Sequence, residues 1–178
     1  MDLRNLTTLA TASLTLRPFT ASDGGKLYSL YGDPDVMDIR KIGTQNRAES
    51  DAQLLEIVDH WDRRAFGLWA VVGRSNGDFL GECGLREIAP GSDKIELSYG
   101  LRPEFWGRGY ATEASLASLD FGFANLQLGV IYGLAKKINQ ASLHVLGKLG
   151  FSPDPAYESE TVARLMLTRC EWFRSPNR

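Results

Sequence analysis

Leu101 to Ala114 reads LRPEFWGRGYATEA. A strand-like run ends at Pro103, and a short loop carries Gly107 and Gly109. An apolar helical pattern opens directly after it, with Thr112 and Glu113 in its first turn. Strand, glycine loop and helix start together make an anion site, because the first helical N–H groups lack internal partners and the helix dipole adds positive potential. Glycines admit a phosphate close to the backbone and permit positive φ. Arg108 offers a cation at the same place. A glycine turn that merely joins two elements is the alternative these residues leave open. Two other phosphate motifs do not fit: a Walker loop ends in Gly-Lys-Ser/Thr, and the GxGxxG fingerprint meets Thr112 at its third glycine.

Working outward, Leu14–Phe19 (LTLRPF) alternates like a strand. Asp23 precedes an amphipathic stretch, Lys26–Tyr31, ended by Gly32-Asp33-Pro34. Arg47–Arg64 sets Leu54, Leu55, Val58 and Trp61 at helical spacing. Three strands follow in series: Leu68–Val72, Phe79–Ile88 and Lys94–Arg102. Their turns, Ser75-Asn76-Gly77-Asp78 and Ala89–Asp93, are short, so they form an antiparallel meander. A helix is expected from about Thr112 to Ala124, a strand over Val130–Ala135, and a helix over Gln140–Leu149 with Gly150 at its C′ position. Arg164–Phe173 reads as a closing strand. The fold class predicted is α+β (mixed α/β): a central, mostly antiparallel mixed sheet of about six to seven strands flanked by about four helices. Met1–Ser13 reads as a flexible leader, without the sustained apolar core of a secretory signal. Residues 14–178 are expected to form one domain.

With 43% hydrophobic and 24% charged residues, the chain is ordinary globular material rather than wholesale disorder. A net charge of -2 speaks against broad binding to nucleic acid or membrane. No run approaches the length of a membrane span. Cys83 and Cys170 are read as free thiols of a reducing, cytoplasmic setting. With His60 and His144 they form no CxxC, HxxxH or HExxH spacing, so no metal is expected. Cys83 sits in an apolar strand (LGECGL) where nothing lowers a thiol pKa, which argues against a nucleophile.

Leu101–Ala114 closely resembles the pyrophosphate-binding motif of the GNAT superfamily of N-acetyltransferases, Q/R-x-x-G-x-G/A. Its positions here are Trp106, Gly109 and Ala111. Trp106 departs from the usual Gln or Arg, which leaves the backbone-amide cradle intact. Lys137–Phe151 (KINQASLHVLGKLGF) is similar to the family's second cofactor motif. Asn139 matches the Asn that follows the fifth strand, Ser142 stands three residues on, and Lys148-Leu149-Gly150-Phe151 matches the ending. The strand Leu14–Pro18 is similar to the opening of the branch that contains ribosomal-protein N-terminal acetyltransferases. The resemblance runs from Leu14 to about Arg174. Asn139 and Ser142 also share one side of a helix start, and an Asn amide can both donate to and accept from a pantetheine arm. Asn139 is equally a good N-cap, and both readings are compatible.

The resemblance implies acetyl-CoA as acyl donor and a primary amine as acceptor, a protein N-terminus or a small-molecule amine, joined by direct attack in a ternary complex. It implies cofactor contacts from Tyr99, Leu101, Trp106, Gly107, Arg108, Gly109, Tyr110, Ala111, Thr112, Asn139 and Ser142. It places an oxyanion donor among the N–H groups of Tyr99–Arg102, where Gly100 suits an interruption of regular pairing. The amine must be neutral to attack, and terminal amines titrate near roughly 7.7–8.0, lysines near about 10.4. Glu96 is the favoured base, acting through a water, on one strand face with Ser98 and Gly100; Glu82 is the second candidate. Many relatives place a Tyr acid about four residues beyond the Asn; here Leu143 and His144 stand there, so Ser142 is the remaining donor to the thiolate. His144 reads as a surface residue. The acceptor pocket is implied at Asp33–Arg64, a stretch of mixed charge with no single-sign patch. The expected state is a monomer or homodimer. The runner-up is a non-catalytic acyl-CoA-binding or regulatory module on the same fold; a third reading is an interaction protein whose glycine loop is incidental. Thiol release with a panel of amines separates them.

Overall fold

The computed structural model describes residues 7–40 and 42–175. Eight strands form one sheet: β1 (Leu9–Ala10), β2 (Leu14–Pro18), β3 (Leu68–Gly73), β4 (Phe79–Glu87), β5 (Ile95–Leu101), β6 (Val130–Lys136), β7 (Ser152–Pro153) and β8 (Val162–Thr168), in the order β1-β2-β3-β4-β5-β6-β8-β7. Every neighbouring pair is antiparallel except β5 and β6. Six helices flank it: α1 (Gly24–Tyr31), α2 (Pro34–Met37), α3 (Arg47–Arg64), α4 (Tyr110–Asp120), α5 (Gln140–Lys148) and α6 (Arg169–Arg174). The mixed, mostly antiparallel sheet is the expected one. Its extra members are short pieces, β1, β7, α2 and α6, which carry little periodicity to read.

Register assigns the faces. Glu82, Gly84 and Arg86 lie opposite Gly100, Ser98 and Glu96, so these six share one face. Tyr31 of α1 reaches it, with its hydroxyl on Glu82. Cys83 lies opposite Tyr99 and faces the other way. There Ser115 and Ser118 of α4 meet the Cys83 thiol, and Ser142 of α5 meets Tyr99. Two-residue alternation thus separates a charged face from an apolar one within the same strands. Leu16, Trp69, Val71, Leu85, Ile131 and Leu119 are fully buried in the core. The helix α3 starts where the Asn46 side chain accepts from Glu49 N at 3.0 Å and Glu49 accepts from Asn46 N at 2.8 Å, a reciprocal cap that satisfies two orphan donors.

Two expectations are corrected. Leu9 and Ala10, inside the stretch read as a leader, pair with Leu16 and Thr15. Glu113 in the first turn of α4 holds this segment, accepting from Thr11 Oγ1 at 2.6 Å and Ser13 N at 2.7 Å. The remainder of the leader, residues 1–6, lies outside the described residues. The closing strand stops at Thr168, because Thr168 and Glu171 form a capping box that starts α6. On the β4 side pairing runs unbroken past Gly100, since β4 and β5 stay in register to Gly81 and Leu101; the interruption expected around Tyr99–Arg102 is found on the β6 side. The register shift falls between β3 and β4, where Leu80 is an extra residue between Val71–Gly81 and Val72–Phe79.

The break that matters lies between β5 and β6. Only Glu96–Tyr132 and Leu97–Gly133 pair. Beyond them β5 runs on to Leu101 and β6 to Lys136 as separate strands. No helix of the described residues is long and apolar enough to cross a membrane.

Candidate active site

A cleft of about 370 Å³ lies between the end of β5 and α5. At one end lies the turn between β5 and α4. Pro103–Phe105 forms a 3₁₀ turn, and Gly107 and Gly109 then adopt φ of 71° and 82°. Both conformations are strained for a side chain, and open space stands where each β-carbon would be. Gly109 is the N-cap of α4, so the first amides of that helix border the same loop. Gly107, Gly109, Tyr110, Ala111 and Thr112 all line the cleft. Arg108 is exposed beside them and does not line it. Trp106 has a role that the motif did not foretell. Its indole N–H donates to Leu101 O at 2.6 Å, pinning the loop to the end of β5.

Midway along the cleft, Asn139 caps α5 with its side-chain oxygen, accepting from Ser142 N at 3.0 Å. Its amide nitrogen keeps both donors for another partner. Ser142 Oγ lies 3.0 Å from the Tyr99 hydroxyl, which also donates to Ser142 O at 3.0 Å. Burial pushes the Tyr99 hydroxyl up to about 12, partly offset by the Ser142 hydrogen bond. The phenol therefore stays protonated through neutral pH. His144 is exposed on the cleft rim.

On the opposite face of β5 the two candidate bases are both held by arginines. Glu96 is 3% exposed, and its Oε1 accepts from Arg86 Nε at 2.8 Å. Its Oε2 makes no hydrogen bond among the described residues. Glu82 is fully buried; one oxygen accepts from Arg40 Nη2 at 2.6 Å and the other from the Tyr31 hydroxyl at 2.8 Å. Both Glu82 oxygens are thus already engaged by side chains of the protein. Arg40 Nη2 also donates to Ser98 Oγ at 3.2 Å. A β-carbon on Gly100 would stand 2.3 Å from Arg40 Nη1. Gly100, in the part of β5 that β6 leaves unpaired, also makes room for a guanidinium. Arg40 had stood only as one charge among many in the Asp33–Arg64 stretch, and no local pattern marks its contact with β4.

The cofactor residues inferred from sequence thus gather along one cleft, Arg108 excepted. Glu96 and Ser142 lie on a narrower space at its inner end, and Glu82 lies behind Arg40. Among the described residues no group of three or more His, Cys, Asp or Glu side chains is placed to hold a metal ion.

Residues 13–152 match the acetyltransferase (GNAT) domain family. The Bacillus subtilis protein YkkB is 32% identical over 151 residues, covering 81% of this chain and 84% of that protein. The spermidine N(1)-acetyltransferase of Escherichia coli is 28% identical over 141 residues, covering 79% and 73%. In fold, the chain is similar to the ribosomal-protein-S5-alanine acetyltransferase of Vibrio fischeri, with a TM-score of 0.74 at 16% identity over 93% of this chain and 98% of that one.

Proposed function

The chain belongs to the GNAT acetyltransferase family and is an N-acetyltransferase, and on that premise we propose that it transfers an acetyl group from acetyl-CoA to a primary amine by direct attack. The observation that carries this reading is the parting of β5 from β6 after Leu97 and Gly133, which leaves the end of β5 free beside a cleft that also holds the glycine loop and α5.

The donor supplies an activated thioester, and GNAT acetyltransferases use acetyl-CoA in that role. The protein residues fit it. Amides bordering Gly107–Thr112, with open space above both glycines, suit a pyrophosphate. The β6-facing backbone of β5 beyond Leu97 has no strand to pair with and is available to an amide-rich arm. The Asn139 amide nitrogen offers a donor to the same arm. In the transfer, the amine nitrogen forms a bond to the acetyl carbon, the carbon–sulfur bond breaks, and the proton lost by the amine balances the one gained by the thiolate. Glu96 Oε2, acting through a water, is the acceptor for the amine proton. Ser142 Oγ, backed by the protonated Tyr99, is the donor to the departing sulfur. The N–H groups of Tyr99–Arg102 are the candidates to hold the developing oxyanion, where one lost donor typically costs about 2.7–4 kcal/mol. A reducing, cytoplasmic setting belongs to this reading, supported by Cys83 and Cys170 standing as free thiols.

Two measurements test it. CoA at 100 times its dissociation constant should stabilise the protein by about 2.7 kcal/mol, read as a rise in melting temperature. Acetyl-CoA with an amine panel should release thiol. Absence of a thermal shift with millimolar CoA rejects the cleft as the donor site; a shift without thiol release for any amine rejects the transfer.

A further inference from the structure

The inner end of the donor cleft narrows to a neck of about 60 Å³. The neck shares Arg40, Tyr99, Asn139 and Ser142 with that cleft. It shares Arg86 and Glu96 with a second cavity of about 300 Å³ on the other side. Donor cleft, neck and second cavity are therefore neighbours, with shared walls at the residues already given chemical roles.

The charges at the neck do not cancel. Arg40, Arg86, Glu96 and Lys136 line it. Arg86 is matched by Glu96 at 2.8 Å, and Arg40 by Glu82 at 2.6 Å behind the wall. Among the described residues Lys136 pairs with no carboxylate: its Nζ donates to the backbone oxygen of Asp38 at 2.9 Å. One positive charge is left over. The donors are not exhausted either, since Arg40 Nη1 reaches only the Met37 sulfur at 3.9 Å, and an ammonium carries three N–H bonds of which Lys136 uses one. The second cavity has an apolar side, with Ile42, Ile57, Leu68, Ile88 and Pro90 on it, and a polar side that carries Gln53, Glu56, His60, Arg63 and Glu87.

We propose that the acceptor is a monoamine carrying a carboxylate next to its amino group, with an apolar tail, and that Lys136 together with Arg40 selects for the carboxylate. This deepens the acetyl-transfer reading and rests on it. The carboxylate answers the unmatched charge, the amine faces the donor cleft, and the tail enters the second cavity. Surplus positive charge also disfavours the ammonium form, which keeps the nucleophile neutral. An acceptor with a second ammonium would meet Lys136 as a like charge.

The test is a set of initial rates by thiol release at saturating acetyl-CoA. The panel is leucine, leucinamide and isoamylamine; phenylalanine and phenethylamine; a short peptide; and spermidine. The amino acids should exceed their counterparts without a carboxylate by about tenfold or more in kcat/KM, as expected for a hydrogen-bonded charge. Lys136→Met, a partly exposed position on a sheet strand, should erase most of that preference while CoA affinity is kept. Equal or faster turnover of leucinamide, the peptide or spermidine overturns the inference and leaves acetyl transfer standing. A preference that survives Lys136→Met also overturns it. Binding of CoA with no amine acetylated removes the transfer reading and the inference with it.

Discussion

Arg40 and Glu82, 42 positions apart in sequence, meet at 2.6 Å beneath the Gly100 backbone, with the Tyr31 hydroxyl closing the other side of the carboxylate. This pair ties the segment after α2 to the centre of the sheet. Glu82→Ala leaves a nearly buried guanidinium unmatched, and breaking such a pair typically costs about 3–5 kcal/mol. Urea unfolding should show that loss. Tyr31→Phe removes one hydrogen bond and should cost roughly 1–3 kcal/mol. A loss below 1 kcal/mol for Glu82→Ala would show that the pair is dispensable.

Gly109→Val tests the loop. At φ 82° the valine is strained although no neighbouring atom blocks it, so the loop must move to accept it, at a cost on the order of 1–3 kcal/mol. CoA affinity should fall at least tenfold while the far-ultraviolet circular dichroism stays native. Unchanged affinity by calorimetry would clear Gly109 of any part in the donor site.

Glu96→Gln and Ser142→Ala separate proton handling from binding. Glu96→Gln should lower kcat at neutral pH and recover part of it at higher pH, where more of the amine is already neutral. Ser142→Ala should reduce kcat modestly, because the Tyr99 hydroxyl retains the Ser142 backbone oxygen as an acceptor. Glu96→Gln should leave CoA affinity unchanged, and Ser142→Ala, on the wall of the donor cleft, should lower it less than it lowers kcat. Parallel loss of affinity and turnover in Glu96→Gln would mean that the variant damages structure instead.

Alkaline pH should weaken the fold through Cys83 and Tyr99. Burial pushes both up to about 12, from ordinary values of 9.0 and 10.0. Below pH 9 both are protonated in either state and stability is constant in this respect. Above it the unfolded chain binds fewer of these protons than the folded one, so stability falls as pH rises toward 12, by on the order of a kcal/mol per pH unit for each group. Cys83→Ala should flatten the lower part of that decline in chemical denaturation. An unaltered slope would assign it to other groups.

The elements that sequence made legible are those with strong periodicity and short connections. The meander from Leu68 to Leu101 and the long helix α3 follow from alternation, turn residues and caps, all local properties. The gathering of Gly107–Thr112 with Asn139 and Ser142 was legible only through the resemblance of both motifs to those of the GNAT family. What stayed hidden depends on side chains reaching across the sheet. Glu96 and Glu82 look alike as glutamates on neighbouring strands. Only tertiary placement gives Glu82 two partners and leaves one oxygen of Glu96 open. Arg164–Phe173 alternates well enough for a strand, but a Thr–Glu cap at Thr168 overrides that pattern. Trp106 departed from the expected side chain and still serves the loop, through an indole bond that no motif encodes.

Glu113 stands in the opening turn of α4 and grips Thr11 and Ser13 at the other end of the chain. Whatever fastens that turn makes it costlier to release the early segment, so amide exchange at Ser13 should slow in step with occupancy of the glycine loop. An isotope label at the start of the chain becomes a distant gauge of ligand bound a hundred residues later.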